Sequence, residues 1–459
     1  MTVVTDSRPT GSHPIAAAAD RATVPPLRSV SGADLEVPVV DGGTRRYVNL
    51  DYAASAPALT EVLDELGRVL PYYASVHRGA GYASAVSTTA YERARQTIAE
   101  VTGATAEHQV IFTRNTTDAL NLLAQAVPAG VEVVCLDIEH HANLLPWQRI
   151  GATVLTARPT FAETLRLLAA ELARPEVGLL AITGASNVTG EVLPLERIAT
   201  LCAETGVRLA VDGAQLVPHR DVDLAALGID YLAFSGHKTY APFGAGVLVG
   251  RSDWLDAAPA YLAGGGAVRK VEAERTDWTS GPARHEGGTP NVLGAVTLAA
   301  ACRALSGLGR LRRDRHERAL LTRLQDGLDQ LPGVRRLRIF DDSTDSVGIV
   351  AFTLEGYEPG LIAAYLSAEH GIGVRDGKFC AHPLLTRLGC AAGAVRVSVG
   401  LGSSSADVDA LLTGLRRLLD HGPSWTYGDV DGRIQPTPDP RPAPAWLPEL
   451  TAPPAPCQG

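Results

Sequence analysis

Short apolar runs of strand length recur along the middle of the chain, and most are followed by stretches with helical spacing. Val110-Ile111-Phe112-Thr113 precedes a helical pattern from Thr116, and the run from Val131 to Leu136 precedes another after Asn143. Val177 to Thr183 leads through a loop into a helix from about Leu195, and the runs Val207 to Val211 and Tyr231 to Phe234 extend the series. Continuous apolar runs belong to strands covered on both faces, and their alternation with helices predicts an α/β unit built on a mostly parallel sheet. Further on, the spacing predicts a long amphipathic helix from about Leu311 to Leu331. Strands over Ser346 to Leu354 and Gly373 to Arg375 follow, then a last helix from Ala406 to Leu419, together a smaller α+β domain. The expected organisation is a mobile N-terminal arm over 1–38, a large domain over 39–305, a small C-terminal domain over 306–421 and a tail over 422–459. The arm is rich in Ala, Pro, Ser and Thr without a sustained period. In the tail, the prolines from Gln435 to Pro442 deny helix and sheet alike and predict extended chain.

Composition narrows the partners. A chain of 459 residues with 46% hydrophobic content can bury a large core. Its net charge of 41 − 50 = −9, with no long Lys/Arg run, argues against nucleic acid. The opening Met1-Thr2-Val3-Val4-Thr5-Asp6 lacks a basic segment followed by an apolar block, and no stretch reaches the length of a membrane span. The expectation is a cytoplasmic protein without a membrane partner. The cysteines 135, 202, 302, 380, 390 and 457 show no C-x-x-C spacing and no disulfide density, and Cys135 and Cys202 fit small buried hydrophobes.

The candidate chemistry lies where the runs end. Asp212 closes one run, and Ser235-Gly236-His237-Lys238 closes the next. In a parallel sheet both emerge on one edge, where such sheets bind ligands. A lysine amine that condenses with an aldehyde, and a carboxylate that keeps a pyridine nitrogen protonated, are what a pyridoxal phosphate site requires. The small polar residues of Thr113 to Leu120 open a helix and offer an anion site for the phosphate, or an ordinary N-cap. After Leu136 comes Asp137-Ile138-Glu139-His140-His141-Ala142-Asn143, in which a histidine could lie on the pyridine ring or the pair could bind metal. No partner stands at a recognised ligand spacing, so no metal is expected. Asn187, in the loop after Thr183, could donate to the cofactor's phenolic oxygen or belong to a plain turn.

Taken in order, Glu139-His140-His141-Ala142-Asn143, Ser186-Asn187-Val188, Val211-Asp212-Gly213-Ala214-Gln215, Ser235-Gly236-His237-Lys238 and Gly288-Thr289-Pro290-Asn291 resemble the class V aminotransferases. Within these the chain is most similar to cysteine desulfurases and selenocysteine lyases of the SufS type. The resemblance runs from Val48-Asn49-Leu50-Asp51-Tyr52-Ala53-Ala54 to the helix ending near Leu419. It implies a fold-type I pyridoxal-phosphate-dependent transferase, in which Lys238 holds the cofactor aldehyde and Asp212 pairs with the pyridinium. It assigns Gln215 and Asn187 to the phenolic oxygen, His140 to the ring face, and Thr116, Thr117, Ser235 and His237 to the phosphate. Ala54 falls in the loop lining the substrate pocket, and Thr289 matches a threonine lent to the neighbouring subunit's phosphate, implying a homodimer.

Cys380, in Gly373-Val374-Arg375-Asp376-Gly377-Lys378-Phe379-Cys380-Ala381-His382-Pro383, stands where SufS-like enzymes keep the nucleophile that takes sulfur. Arg375, Lys378 and His382 favour a thiolate there, and Arg375 is a candidate for the substrate pocket. Arg396 matches the arginine that grips the substrate carboxylate through a fork. The resemblance implies conversion of L-cysteine, or a related amino acid, to alanine, with sulfur passed as a persulfide on Cys380 to an acceptor protein or thiol. Three departures motivate an alternative, a class V aminotransferase, epimerase or C–S lyase of specialised metabolism that does not use Cys380. Lys378-Phe379 replaces the histidines usual before the nucleophile. The early loop His77-Arg78-Gly79-Ala80-Gly81-Tyr82 lacks a second histidine, and Gly402-Ser403-Ser404 stands where Tyr-Asn-Thr is usual.

Overall fold

Alternate residues of each apolar run serve two separate cores. Val134, Leu136, Leu180, Ile182, Leu209, Val211, Leu232 and Phe234 belong to one core, and their neighbours Val133, Cys135, Leu179, Ala181, Ala210, Tyr231 and Ala233 to the other. This period of two is the signature of strands buried on both faces. In the computed structural model, which describes residues 22–448, these strands form one seven-stranded sheet. Its order is His108–Thr113, Gly246–Arg251, Tyr231–Ser235, Arg208–Asp212, Val177–Thr183, Glu132–Leu136, Thr153–Leu155. Only Gly246–Arg251 runs against its two neighbours, so the other six strands point the same way and end on one edge. The helices Tyr82–Val101, Phe161–Leu172, Leu195–Thr205 and Val292–Leu308 pack on the first core. Thr116–Ala126, Trp147 and Leu255 fill the second.

The small domain is a four-stranded antiparallel sheet in the order Val334–Arg336, Ile349–Leu354, Ala394–Ser398, Arg375–Gly377. It is covered by the helices Arg310–Asp329, Pro359–His370 and Ser405–His421, whose Leu320, Leu324, Leu366, Leu411 and Leu415 meet Phe352, Val395 and Val397 in a third core. The strand expected over Gly373–Arg375 is two strands. Ile372–Gly373 pairs in parallel with Val48–Asn49, and Arg375–Gly377 joins the small sheet after a crossing at Val374. Val48 and Leu50 thereby enter the small domain's core, so chain that precedes the large sheet helps to close the second domain.

Both ends depart from their expected forms. Residues 1–21 of the expected arm lie outside the described residues, but residues 22–38 are docked. Leu27 and Arg28 donate backbone N–H groups to Leu401 O at 2.7 and 3.0 Å, Val30 is buried, and Glu36–Pro38 pairs with Thr44–Arg46. Leu27 and Val30 supply apolar anchors that the surrounding polar composition masks. In the tail, Tyr427–Val430 and Arg433–Pro436 form a hairpin instead of extended chain. Asp431 and Gly432 between them have φ of 52° and 77°, the left-handed pair that a tight hairpin turn requires, and Asp-Gly supplies it cheaply. Glu369 fastens the hairpin by accepting from Ser424 N at 3.0 Å, Trp425 N at 3.2 Å and the Tyr427 hydroxyl at 3.0 Å. Trp446 is exposed and pins nothing, and the last residues of the tail fall outside the described range.

The two domains are joined by a half-buried ion network. Arg220 donates to Glu317 Oε2 at 2.6 Å and to Asp345 Oδ1 at 3.0 Å, and His219 pairs with the other oxygen of Glu317. Burial opposes ionisation of Glu317, but the charges and hydrogen bonds of His219 and Arg220 outweigh it and hold its pKa down from 4.5 to about 2. A depressed carboxylate stabilises the fold above its unfolded pKa and loses that contribution as pH falls through the folded one. Urea unfolding at stepped pH is therefore expected to show stability falling between 4.5 and about 2. E317Q should lack that component of the slope and be less stable at neutral pH by about 3–5 kcal/mol, the usual cost of breaking a buried pair from one side.

Candidate active site

The common edge of the six parallel strands opens into a cavity of about 260 Å³. Five of the six strand ends deliver residues to the lining, because the chain must turn there and polar side chains replace apolar ones. The loop after Thr113 brings Thr116 and Thr117, and the loop after Leu136 brings His140. The loop after Thr183 brings Asn187, the turn after Arg208–Asp212 brings Asp212 and Gln215, and Tyr231–Ser235 brings Ser235, His237 and Lys238. Ala54 lines the cavity from the N-terminal segment, and Arg375, Phe379, Cys380 and Arg396 line it from the small domain. Thr289 alone among the sequence-predicted residues lies outside the lining, on an exposed loop.

One end of the cavity is built for an anion. The helix Thr116–Ala126 is capped by Asn115, which accepts from Asp118 N at 2.9 Å, so the cap does not use the threonines. Thr116 Oγ1 and Ser235 Oγ are buried there without a protein partner. Unsatisfied buried hydroxyls are costly and point to a ligand that completes them. Gly246 permits the close approach, since a Cβ there would sit 2.5 Å from the backbone of Asn115. Two orphaned hydroxyls at a helix start suit phosphate oxygens.

The middle of the cavity holds the titratable groups. Burial lowers the Lys238 pKa from the ordinary amine value, and Asp212 partly offsets this. Burial likewise raises the Asp212 carboxyl, opposed by the hydrogen bond from Ala214 N, at 2.9 Å, and by Lys238. A cationic ring nitrogen beside Asp212 would restore the carboxylate. His140 accepts from Ala142 N at 3.0 Å through Nδ1, which leaves the proton on Nε2. Burial first, then the charges of Lys238, His141 and Arg396, push its pKa down to about 3, so the ring is neutral. Gln215 is fixed by donating to Ala53 O at 2.7 Å. An amine, an acid, a neutral imidazole and a phosphate cradle in one cavity fit a pyridoxal phosphate.

The far end is made by the small domain. Arg396 is buried, donating NH1 to Asn187 O at 2.9 Å and NH2 to Asp51 Oδ1 at 3.0 Å. Its guanidinium carbon lies 5.2 Å from the centre of the Phe379 ring. Phe379 and Cys380 are both left-handed, with φ of 53° and 52°, a conformation that non-glycine residues hold only under constraint. The constraint is visible: Asn187 Nδ2 donates to Phe379 O at 2.8 Å, and His141 N donates to Cys380 O at 2.8 Å. Sequence reasoning missed Asp51 and Phe379. Asp51 stood in the opening motif without an assigned task, and Phe379 was noted only as a replaced histidine. His77, in the early loop, pairs with Glu92 at 3.0 Å away from the lining, while Ser404 caps the last helix. Cys135 and Cys202 are buried in the cores, where burial pushes their thiols up to about 12.

The profile of the class-V aminotransferases matches residues 48–411. A probable cysteine desulfurase of Mycolicibacterium paratuberculosis is 37% identical over 383 residues, covering 81% of this chain and 55% of that protein, so the chain spans little more than half of that relative. A probable cysteine desulfurase of Vibrio cholerae is 34% identical over 393 residues, covering 83% of this chain and 95% of the relative. Among solved structures, the cysteine desulfurase CsdA from Escherichia coli, in an S-sulfonic acid form, matches with a TM-score of 0.72 at 35% identity, covering 82% of this chain and 95% of that one.

If Thr116 and Ser235 complete a phosphate site, the T116A/S235A double variant should hold pyridoxal phosphate at least about tenfold more weakly, each lost bond to a charged group being worth roughly 1.5–3 kcal/mol. Equilibrium dialysis measures this without reference to turnover.

Proposed function

The chain belongs to the class-V aminotransferase family, and within it we propose a pyridoxal-phosphate-dependent cysteine desulfurase that converts L-cysteine to L-alanine and carries the sulfur as a persulfide on Cys380. The observation that supports this most directly is that Lys238, Asp212, Arg396 and Cys380 all open on one cavity. The fold is that of the fold-type I enzymes, and the family implies the cofactor. When bound, pyridoxal phosphate supplies an aldehyde for the substrate amine and a ring that stores the electrons of a broken bond.

This chain's residues do the rest. Thr116, Thr117, Ser235 and His237 would hold the phosphate, Asn187 and Gln215 would serve the phenolic oxygen, and neutral His140 would serve the ring. Arg396 binds the substrate carboxylate through its planar fork. Lys238, whose pKa burial lowers from the ordinary amine value, serves as the base for the α-proton. Cys380 as thiolate attacks the substrate sulfur, the C–S bond breaks as the S–S bond forms, the electron pair left on Cβ takes up the proton the thiol gave up, Lys238 returns the α-proton, and alanine departs. The sulfur then passes to an acceptor protein or thiol. Thr289, exposed outside the cavity, is assigned to the phosphate site of a second subunit in a homodimer. A cytoplasmic setting, in which the Cys380 thiol stays reduced, belongs to the same proposal.

The test is the C380A variant. Sulfide release from L-cysteine in the presence of a thiol reductant should fall at least about 100-fold while bound cofactor is unchanged. Alanine formation that survives the substitution would instead favour a transaminase, epimerase or C–S lyase in which the thiol is dispensable.

A further inference from the structure

Arg375 and Arg396 are register partners on adjacent antiparallel strands, and both line the cavity. Like charges directly opposite one another on a sheet repel. Burial aggravates this for Arg396, which is only 4% exposed and whose Nε is buried without a partner. The repulsion is answered from behind. Asp51, on the segment that follows Val48–Asn49, does not line the cavity but accepts from Arg396 NH2 at 3.0 Å. Its backbone forms a bridge with Ser398, two residues beyond Arg396 in the same strand, so the carboxylate is fixed relative to the guanidinium it serves. With the Cys380 thiol protonated, as it stands before any sulfur is transferred, charge can be counted at this end of the site: two guanidinium groups and one carboxylate leave one net positive charge. Lys238 and Asp212 stand toward the cofactor and offset each other.

We propose that Asp51 is a specificity-determining residue, which cancels one of two facing arginine charges and so matches the site to an amino acid with a single carboxylate, against one whose side chain carries a second acid. The inference rests on Arg396 as the carboxylate site of the proposed reaction. Phe379 supports the arrangement by presenting a neutral ring to the Arg396 guanidinium. With Asp51 neutralised, the two arginines present two positive charges to one small cavity, and a dianion gains more from that than a monoanion.

Calorimetric titration of the holoenzyme with propionate and with succinate tests this, because neither has an amine to react. D51N should raise the affinity for succinate relative to propionate at least about tenfold, and D51E, which keeps the charge, should retain the wild-type ratio. R375Q, which removes a positive charge from the same end, should move the ratio the other way, and it carries the test if D51N fails to hold cofactor. A ratio indifferent to D51N, or to R375Q in its place, overturns the inference, as does a D51E variant that shifts like D51N. Wild-type holoenzyme that binds neither anion overturns the reading of Arg396 itself, whereas selective loss of the ratio effect leaves that reading standing.

Discussion

A primary amine and a carboxylate are kept in one buried cavity, and the architecture around the sheet edge answers the need to hold them there. Burial disfavours the charged forms of both Lys238 and Asp212, and the charge of each partly offsets this for the other. Only an edge where several strands end together can present two such groups while their backbones remain satisfied within the sheet. The double-sided cores follow from this. Strands such as Arg208–Asp212 and Tyr231–Ser235 must be covered on both faces to be central, and central strands bring their ends deepest into the cavity.

The edge accounts for Lys238 and Asp212 but not for Cys380, which the small domain carries. Phe379 and Cys380 sit in a left-handed turn that costs roughly 1–3 kcal/mol per non-glycine residue unless its surroundings impose it. The bonds that impose it come from Asn187 and His141, members of the loops that also face the cofactor position. The thiol is thus positioned by the large domain although the small domain carries it. Domain contacts such as Arg220 with Glu317 and Asp345, and the strand pair of Val48–Asn49 with Ile372–Gly373, keep that registration.

Much of this was legible in the sequence because it depends on local pattern. Buried strands announce themselves by continuous apolar runs, and the residues that end them, from Thr116 to Lys238, fell on the predicted edge. What was not legible depends on direction and on long-range pairing. The run Val247-Leu248-Val249 carries no mark of running antiparallel, and nothing near Asp51 announces a partner 345 positions away. The hairpin at Tyr427–Pro436 is a different failure. Its Asp431-Gly432 turn signal was present but was outweighed by the prolines around it, and those prolines begin where the second strand ends.

The departures at Lys378-Phe379 take on a definite meaning once the contacts are known. Phe379 puts no titratable group on the cavity wall, while its backbone carbonyl accepts from Asn187 and its ring lies against Arg396. Main-chain bonds to Asn187 and His141 set the position of Cys380, while the Phe379 side chain sets the polarity beside Arg396. Lys238, Asp212 and Ser235 lie at the ends of the large sheet's strands, apart from this turn of the small domain, so the two ends of the cavity are free to vary separately.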